Sequence, residues 1–357
     1  MSNLAPETKV ELNPYLKELQ TLTIPETSNG LGYVSVFSGG GGLDLGFASA
    51  GFKPLFSSDI EPAYCQTIRD NLGGQEHIVE AHDLSQLSGK ELLKRISKNV
   101  DVVIGGPPCQ SFSILGSRGS VGDPRGQLAL EYGRFVKEIK PKAFLFENVP
   151  GLLTVNKGTD WNNLLEFFKK TTGFYIKWTK LNSAWFGAPQ LRQRVIVVGF
   201  RNKKDFDNFE WPTARFSENS EQLHFGRLHP RVASQALEEV DGLPNHVLRQ
   251  HGERVSTRYS TVPPGGRDRK DHTDRIHPDK PSGTVLVGSG AGGGRPFIHP
   301  IEHRHITVRE AARLQSFPDW WIFSGGPTSS YRQVGNAVPP LMAKAIAQNI
   351  AFALGAK

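Results

Sequence analysis

Over its first two hundred residues the chain alternates two hydrophobic patterns. Tyr33–Phe37, Pro54–Ser57, Val100–Ile104, Ala143–Phe146 and Val195–Phe200 are short, almost continuous apolar runs of strand length. Between them, Leu43–Ala50, Pro62–Asn71, Ala129–Ile139 and Asn162–Thr171 carry apolar residues at helical spacing. Runs with no polar face are those of strands covered on both sides. Their alternation with helices predicts an α/β fold whose mixed, mostly parallel sheet has helices on both faces. Residues 1–31 are polar and punctuated by proline, with one helical turn at Pro14–Leu19, and read as a loosely docked arm. From about Arg201 the alternation stops. Residues 201–300 are rich in Pro, Gly, His and Arg, with a basic stretch at Val255–Lys270 and a glycine run at Gly288–Gly294. They predict a small, irregular, mostly β or loop domain. Order resumes at Thr307-Val-Arg-Glu310, a capping-box pattern that opens a helix running to about Ser316. Leu341–Leu354 reads as a terminal helix. The expected division is an arm (1–31), a first α/β domain (32–204), the irregular domain (205–305), a hinge with its helix (306–330) and a return to the first domain (331–357).

With 357 residues, 38% of them hydrophobic, the chain can bury a substantial core. The formal charge of +7 favours a polyanionic partner. No apolar run is long enough to span a bilayer, and the first residues do not read as a secretory signal, so a cytoplasmic location is expected. The only cysteines are Cys65 and Cys109. That excludes a disulfide framework and a cysteine-based zinc site, and no metal is expected.

Cys109 stands in Gly105-Gly-Pro-Pro-Cys-Gln-Ser-Phe-Ser113, just past an apolar strand. The prolines end the strand, and the carboxyl ends of buried strands are where α/β proteins place their sites. A thiolate there is a nucleophile if its pKa is lowered; otherwise the cysteine is a small buried residue in a turn. Phe37-Ser38-Gly39-Gly40-Gly41-Gly42-Leu43 is a glycine turn between the first strand and the first helix. Asp59, at the end of the second strand, lies about twenty residues on, where such folds bind ribose hydroxyls. Together they point to a nucleoside-containing ligand. Asp83 could accept from an adenine amino group or could cap a helix.

Taken in order, six stretches resemble the cytosine-C5 DNA methyltransferase family of the restriction-modification type: the glycine turn, Gly106-Pro-Pro-Cys-Gln110, Glu147-Asn148-Val149, Gln190-Leu-Arg192-Gln-Arg194, Arg309-Glu-Ala-Ala-Arg313-Leu-Gln315 and Gly335-Asn336-Ala337-Val338. The resemblance implies a Rossmann-like methyltransferase domain with a small target-recognition domain. It implies S-adenosylmethionine as donor, double-stranded DNA as substrate, a flipped cytosine and a covalent bond from Cys109 to C6. Glu147 would act at N3, Arg194 at O2, and Arg192 would hold the pocket together. The donor would meet Phe37, Ser38, Gly39, Gly41, Gly42, Asp59, Ile60, Asp83, Leu84, Pro107, Leu128, Asn336 and Ala337. Gln110, Ser113 and Arg118, in a glycine-rich loop after the nucleophile, and Arg254, Arg258 and Arg267 in the basic stretch would meet DNA. A monomer is expected, with a separate cognate restriction endonuclease as a possible partner.

Three rival readings differ in specific residues. Amino-methyltransferases typically have an aromatic residue where Cys109 stands. RNA cytosine-C5 methylases of the multi-site kind use two cysteines in neighbouring motifs, and the tRNA-acting branch of the family has a Cys-Phe-Thr signature that this chain lacks. A non-catalytic paralogue would have eroded motifs, and these are intact.

Overall fold

Seven strands form one sheet in the order β3-β2-β1-β4-β5-β7-β6. They are β1 (Gly32–Val36), β2 (Lys53–Asp59), β3 (Ile78–Ala81), β4 (Val102–Gly105), β5 (Ala143–Asn148), β6 (Tyr175–Asn182) and β7 (Gln193–Phe200). This computed structural model describes residues 12–96, 98–108, 124–217, 226–287 and 297–356, with backbone alone for 124–126. The first five strands in space are parallel, and β7 and then β6 continue the sheet in antiparallel pairs.

The two-residue period of β5 sorts its side chains to opposite faces. Phe144 and Phe146 pack with helices α5 (Pro124–Ile139) and α6 (Thr159–Thr172). Ala143 and Leu145 pack on the other face with α2 (Gly42–Ser49) and the helix Pro340–Ala353. Each phenylalanine is fully buried, which is worth about 1.5–3 kcal/mol per side chain. The sheet is thus buried on both faces, as its unbroken apolar runs require. The helix Pro340–Ala353 brings the far end of the chain back against α2.

Several elements escaped the sequence reading, among them three in the sheet half. Strand β6 alternates Tyr175, Lys177 and Thr179 with Ile176, Trp178 and Lys180 at the sheet's edge, where half-exposed, charged positions break up the apolar run. The short β3 and the helix α4 (Gly89–Ile96) are similarly exposed; α4 buries little beyond Leu92 and Ile96.

One expectation is corrected. From residue 12 onward the arm is firmly docked. Helix α1 (Pro14–Gln20), capped by Asn13, buries Tyr15, Leu16 and Leu19 in a cluster with Ala233, Ala236, Phe317 and Trp321. Tyr15 donates to the Arg313 carbonyl, and Glu18 pairs with Arg215 and Arg231. Its few apolar residues fall on one face, so a short polar sequence still makes a real contact surface. Of the two forms expected after residue 201, β or loop, the described residues take the loop form. They include short helices, such as Glu253–Ser260, and only isolated bridges. The capping box forms as expected, with Thr307 and Glu310 bonding reciprocally at the head of Val308–Leu314.

Candidate active site

The strand order reverses between β1 and β4, and the loops that follow these two strands open a crevice at their carboxyl ends. At the end of β1 the chain turns through Phe37, whose φ of 55° puts a non-glycine residue in the left-handed region. Gly39 N–H then donates to Asp59 Oδ2 at 2.9 Å, and Glu61 N–H donates to Oδ1 at 3.1 Å. The end of β2 is thereby tied to the glycine turn. Burial lifts the Asp59 carboxyl above its ordinary range, against the pull of these backbone donors. Ile60, next in the chain, keeps 64% of its surface exposed. An apolar side chain left uncovered beside a carboxylate suits a ligand with a flat apolar ring and neighbouring hydroxyls.

Asp83 is the N-cap of a single turn, Leu84–Gln86, accepting from Ser85 N and Oγ at 2.9 and 2.8 Å. The capping alternative is therefore realised, although Asp83 also lines the crevice. Leu84, Leu128 on α5, Pro107, Asn336 and Ala337 complete the wall together with Phe37, Ser38, Gly39 and Gly42, around a cavity of about 670 Å³. Gly41 is the exception and is corrected: a Cβ there would meet Trp321 at 2.4 Å and Ile68 at 2.5 Å, so it serves packing and does not line the cavity. Trp321 Nε1 donates to the neighbouring Gly40 carbonyl.

The inner end of the same cavity holds Glu147 and Arg194. Glu147 lies opposite Ile196 in the antiparallel pair of β5 and β7. Arg194 is two residues earlier on β7, hence on the same face, and its Nε is 2.6 Å from Glu147 Oε1. Both are about nine-tenths buried. Burial is the larger influence on Glu147 and lifts its carboxyl, while Arg194 and then Arg192 pull it down. Gly106 leaves room for this carboxylate, since a Cβ there would stand 2.6 Å from Oε2. Asn148 Nδ2 donates to Pro107 O at 3.1 Å and fixes the Pro-Pro turn against the end of β5. Arg192 is fully buried and reaches neither carboxylate oxygen. It donates to Gly335 O at 2.8 Å and Val285 O at 3.4 Å, joining β7 to the segment that carries Asn336. Cys109, Gln110, Ser113 and Arg118 lie outside the described residues.

A family profile described as C-5 cytosine-specific DNA methylase matches residues 31–351. The chain belongs to that family. This methylase is 40% identical over 340 residues to the Type II methyltransferase M1.HphI of Haemophilus parahaemolyticus, spanning 90% of this chain and 86% of the relative. It is 35% identical over 347 residues to M.NgoFVII of Neisseria gonorrhoeae, spanning 93% and 89%. Among solved structures, a DNA modification methyltransferase encoded within an E. coli prophage superposes with a TM-score of 0.74 at 26% identity, over 91% of this chain and 99% of that one. The S. pombe Dnmt2 methyltransferase shares the fold, with a TM-score of 0.64 at 19% identity, over 91% and 98%.

The methylase's basic stretch sorts its arginines into different states. Arg258, expected at DNA, is engaged within the fold. Its Nε donates to Asp268 Oδ1 at 2.9 Å, a second nitrogen pairs with Asp271, and the guanidinium lies over the Tyr259 ring. Arg254 is exposed on the helix Glu253–Ser260, and Arg267 is exposed 3.6 Å from Asp274. The sequence reading missed Tyr64, Gln127 and Glu131 on the cavity wall. Glu131 lies one turn from Leu128 on α5, so extending that helix face at a spacing of three would have found it. Tyr64 lies on the next helix, Pro62–Leu72, after the strand that ends at Asp59, and had no such signal.

Proposed function

We propose that this methylase is a sequence-specific DNA (cytosine-5)-methyltransferase that uses S-adenosylmethionine and acts on a cytosine turned out of the duplex, with Cys109 as nucleophile. The observation that carries the reading is the single cavity joining a carboxylate–apolar–carboxylate wall (Asp59, Ile60, Asp83) to the buried Glu147–Arg194 pair. The exposed apolar Ile60 between two acids fits an adenosine, and a cavity of about 670 Å³ has room for that group and a base. When bound, S-adenosylmethionine supplies an electrophilic methyl group.

C5 of cytosine is a poor nucleophile until a thiolate adds to C6. Cys109 would form that bond, and the electron pair would move towards C5 and N3. Glu147, its carboxyl raised by burial, would hold or donate a proton at N3 while Arg194 hydrogen-bonds O2. C5 then takes the methyl group, loses its proton, and the C6–S bond breaks to release Cys109. Turning the base out costs about a few kcal/mol. The enzyme would work as a monomer on double-stranded DNA in the cytoplasm, beside the nucleoid, with any cognate endonuclease acting separately. The segment between Gln193–Phe200 and Val308–Leu314 would read the target.

The test is transfer of labelled methyl to duplex DNA and to tRNA, with mapping of the methylated positions. Modification of cytosine C5 at one recurring duplex sequence is expected. DNA containing 5-fluorocytosine should leave a denaturant-stable adduct, because fluorine cannot depart as a proton does. Transfer to tRNA alone, or active turnover without the adduct, would overturn the reading.

A further inference from the structure

Beneath the glycine turn lies a carboxylate that the proposed chemistry does not use. Asp44 on α2 is fully buried. Ser57 Oγ donates to its Oδ1 at 2.7 Å and Ser35 Oγ donates to its Oδ2 at 2.9 Å. The chain of hydroxyls continues both ways. Ser35 Oγ is 2.9 Å from Ser38 Oγ, and Ser38 lines the donor cavity. Ser57 Oγ is 3.0 Å from His77 Nε2, and His77 Nδ1 is 3.1 Å from Leu72 O.

Counting protons fixes the direction at Ser35 and Ser38 while Asp44 Oδ2 carries no hydrogen. A serine hydroxyl has one hydrogen. Ser35 spends its hydrogen on Asp44, so Ser38 must donate to Ser35. Ser38 is then left with lone pairs only. At the other end the Leu72 carbonyl can only accept, so His77 Nδ1 carries a hydrogen. Every bond is satisfied if one proton is shared along His77–Ser57–Asp44: on Nε2 with Asp44 ionised, or on Asp44 Oδ1 with the direction through Ser57 reversed. Ser35 and Ser38 keep the same direction in both. Burial pushes Asp44 up to about 6 and lowers His77, and both effects favour the arrangement with the proton on Asp44.

We propose that Asp44 is a positioning residue for the methyl donor, acting through Ser35 to hold Ser38 as a hydrogen-bond acceptor on the cavity wall. Ser38 in this state takes an N–H or O–H of the ligand and has nothing to offer a carboxylate. The proposal rests on the donor reading above.

Calorimetric titration with S-adenosylmethionine and S-adenosylhomocysteine tests it, with a melting curve of each unliganded variant as the folding control. Ser35→Ala and Ser38→Ala should each weaken binding by roughly threefold to tenfold, the effect of one hydrogen bond. The double variant should be no weaker than the worse single one, because both act through one oxygen. Asp44→Leu should weaken binding similarly. Asp44→Asn should recover it, since its Nδ2 can donate to Ser57 while Oδ1 accepts from Ser35. Donor KM should rise in the serine variants more than kcat falls. Additive serine effects, wild-type affinity in Ser35→Ala, or Asp44→Asn no better than Asp44→Leu would each overturn the proposal. If Asp44→Leu does not fold, the serine cycle decides. If the wild-type enzyme binds neither compound, the donor reading falls and takes this inference with it.

Discussion

The sheet half of the molecule and the irregular segment that follows it solve the burial of polar groups in opposite ways. In the sheet, strand ladders satisfy the backbone, and apolar side chains fill both faces. Buried charge enters where it is paired or hydrogen-bonded, as Glu147 with Arg194 near strand ends and as Asp44 of α2 among serines. In the irregular segment the main apolar contact group of its own is small: Tyr259, Val262 and Ile298, with Val255 against them. Arginine side chains replace the ladder there. Arg275, 4% exposed, donates to the carbonyls of His299, Pro300, Glu302 and Tyr259. Arg309, on the helix Val308–Leu314 that closes the segment, does the same for Pro244, Pro318 and Trp321. A buried carbonyl needs a donor, and a planar guanidinium can supply several at once. In a segment without strands, arginine is therefore as much a structural residue as a DNA-binding one.

The largest effect should come from the chemistry assigned to the sheet half. Glu147→Gln should lower the methylation rate by roughly 10²–10⁴-fold, as for loss of a general acid, with donor affinity little changed. Asp59→Ala should do the reverse and weaken donor binding first. Single-turnover rates and calorimetry separate the two. Equal losses of rate and donor affinity in both variants would mean that the cavity has no division of labour.

In the irregular half, Arg275→Ala should be the most damaging change. It strands buried carbonyls, each costing about 1–3 kcal/mol. Loss of specific DNA binding and a lowered melting temperature are expected, with S-adenosylhomocysteine binding retained by the sheet half at temperatures below the transition. Unaltered stability would show that guanidinium does not stand in for the ladder.

This contrast also explains what was legible in the sequence. Phe144 and Phe146 announced a buried strand because the sheet's order is apolar and periodic. Asp59 and Glu147 were legible because their motifs sit at strand ends, which the fold gathers, and Asn336 was legible through its motif alone, at the end of the helix Pro327–Asn336. Arg258 misled because its partners, Asp268 and Asp271, pair with it through a loop that no periodicity encodes. Gly41 misled because the reason for its missing side chain, Trp321, is two hundred and eighty residues away in the chain. Arg192 was expected to brace the base pocket, and its partners are main-chain carbonyls that no side-chain pattern could reveal.

The two halves should also differ in their response to pH. The Asp44 carboxyl is raised from 3.8 to about 6 by burial. Its folded form therefore holds the proton more tightly than the unfolded chain. The stability this adds is full below the unfolded pKa and is lost as pH rises through about 6, a loss on the order of 2–3 kcal/mol by neutral pH. Asp44→Asn cannot ionise and should flatten that fall, melting higher than wild type at pH 8 and no higher at pH 4. Arg275 stays charged throughout this range and opposes protonation of the buried His299, so Arg275→Ala should lower the melting temperature more at pH 8 than at pH 4.

The smallest effects should come from the exposed arginines, and they sharpen the contrast most. Arg258→Ala removes two ion pairs and a ring contact, and should lower the melting temperature more than either exposed variant does. Arg254→Ala and Arg267→Ala remove exposed charges and should leave stability within about 0.5 kcal/mol. If these two residues touch phosphate, each substitution should weaken binding to every duplex alike and reduce the slope of log affinity against log salt by about 1. If one of them reads a base, binding to the target should fall by about 1–3 kcal/mol while binding to other duplexes barely moves. Titrations of target and scrambled duplexes at several salt concentrations distinguish the two. A salt slope that changes in Arg258→Ala but in neither exposed variant would reverse the assignment of structural and DNA-facing arginines, and with it the lesson drawn from comparing the two halves.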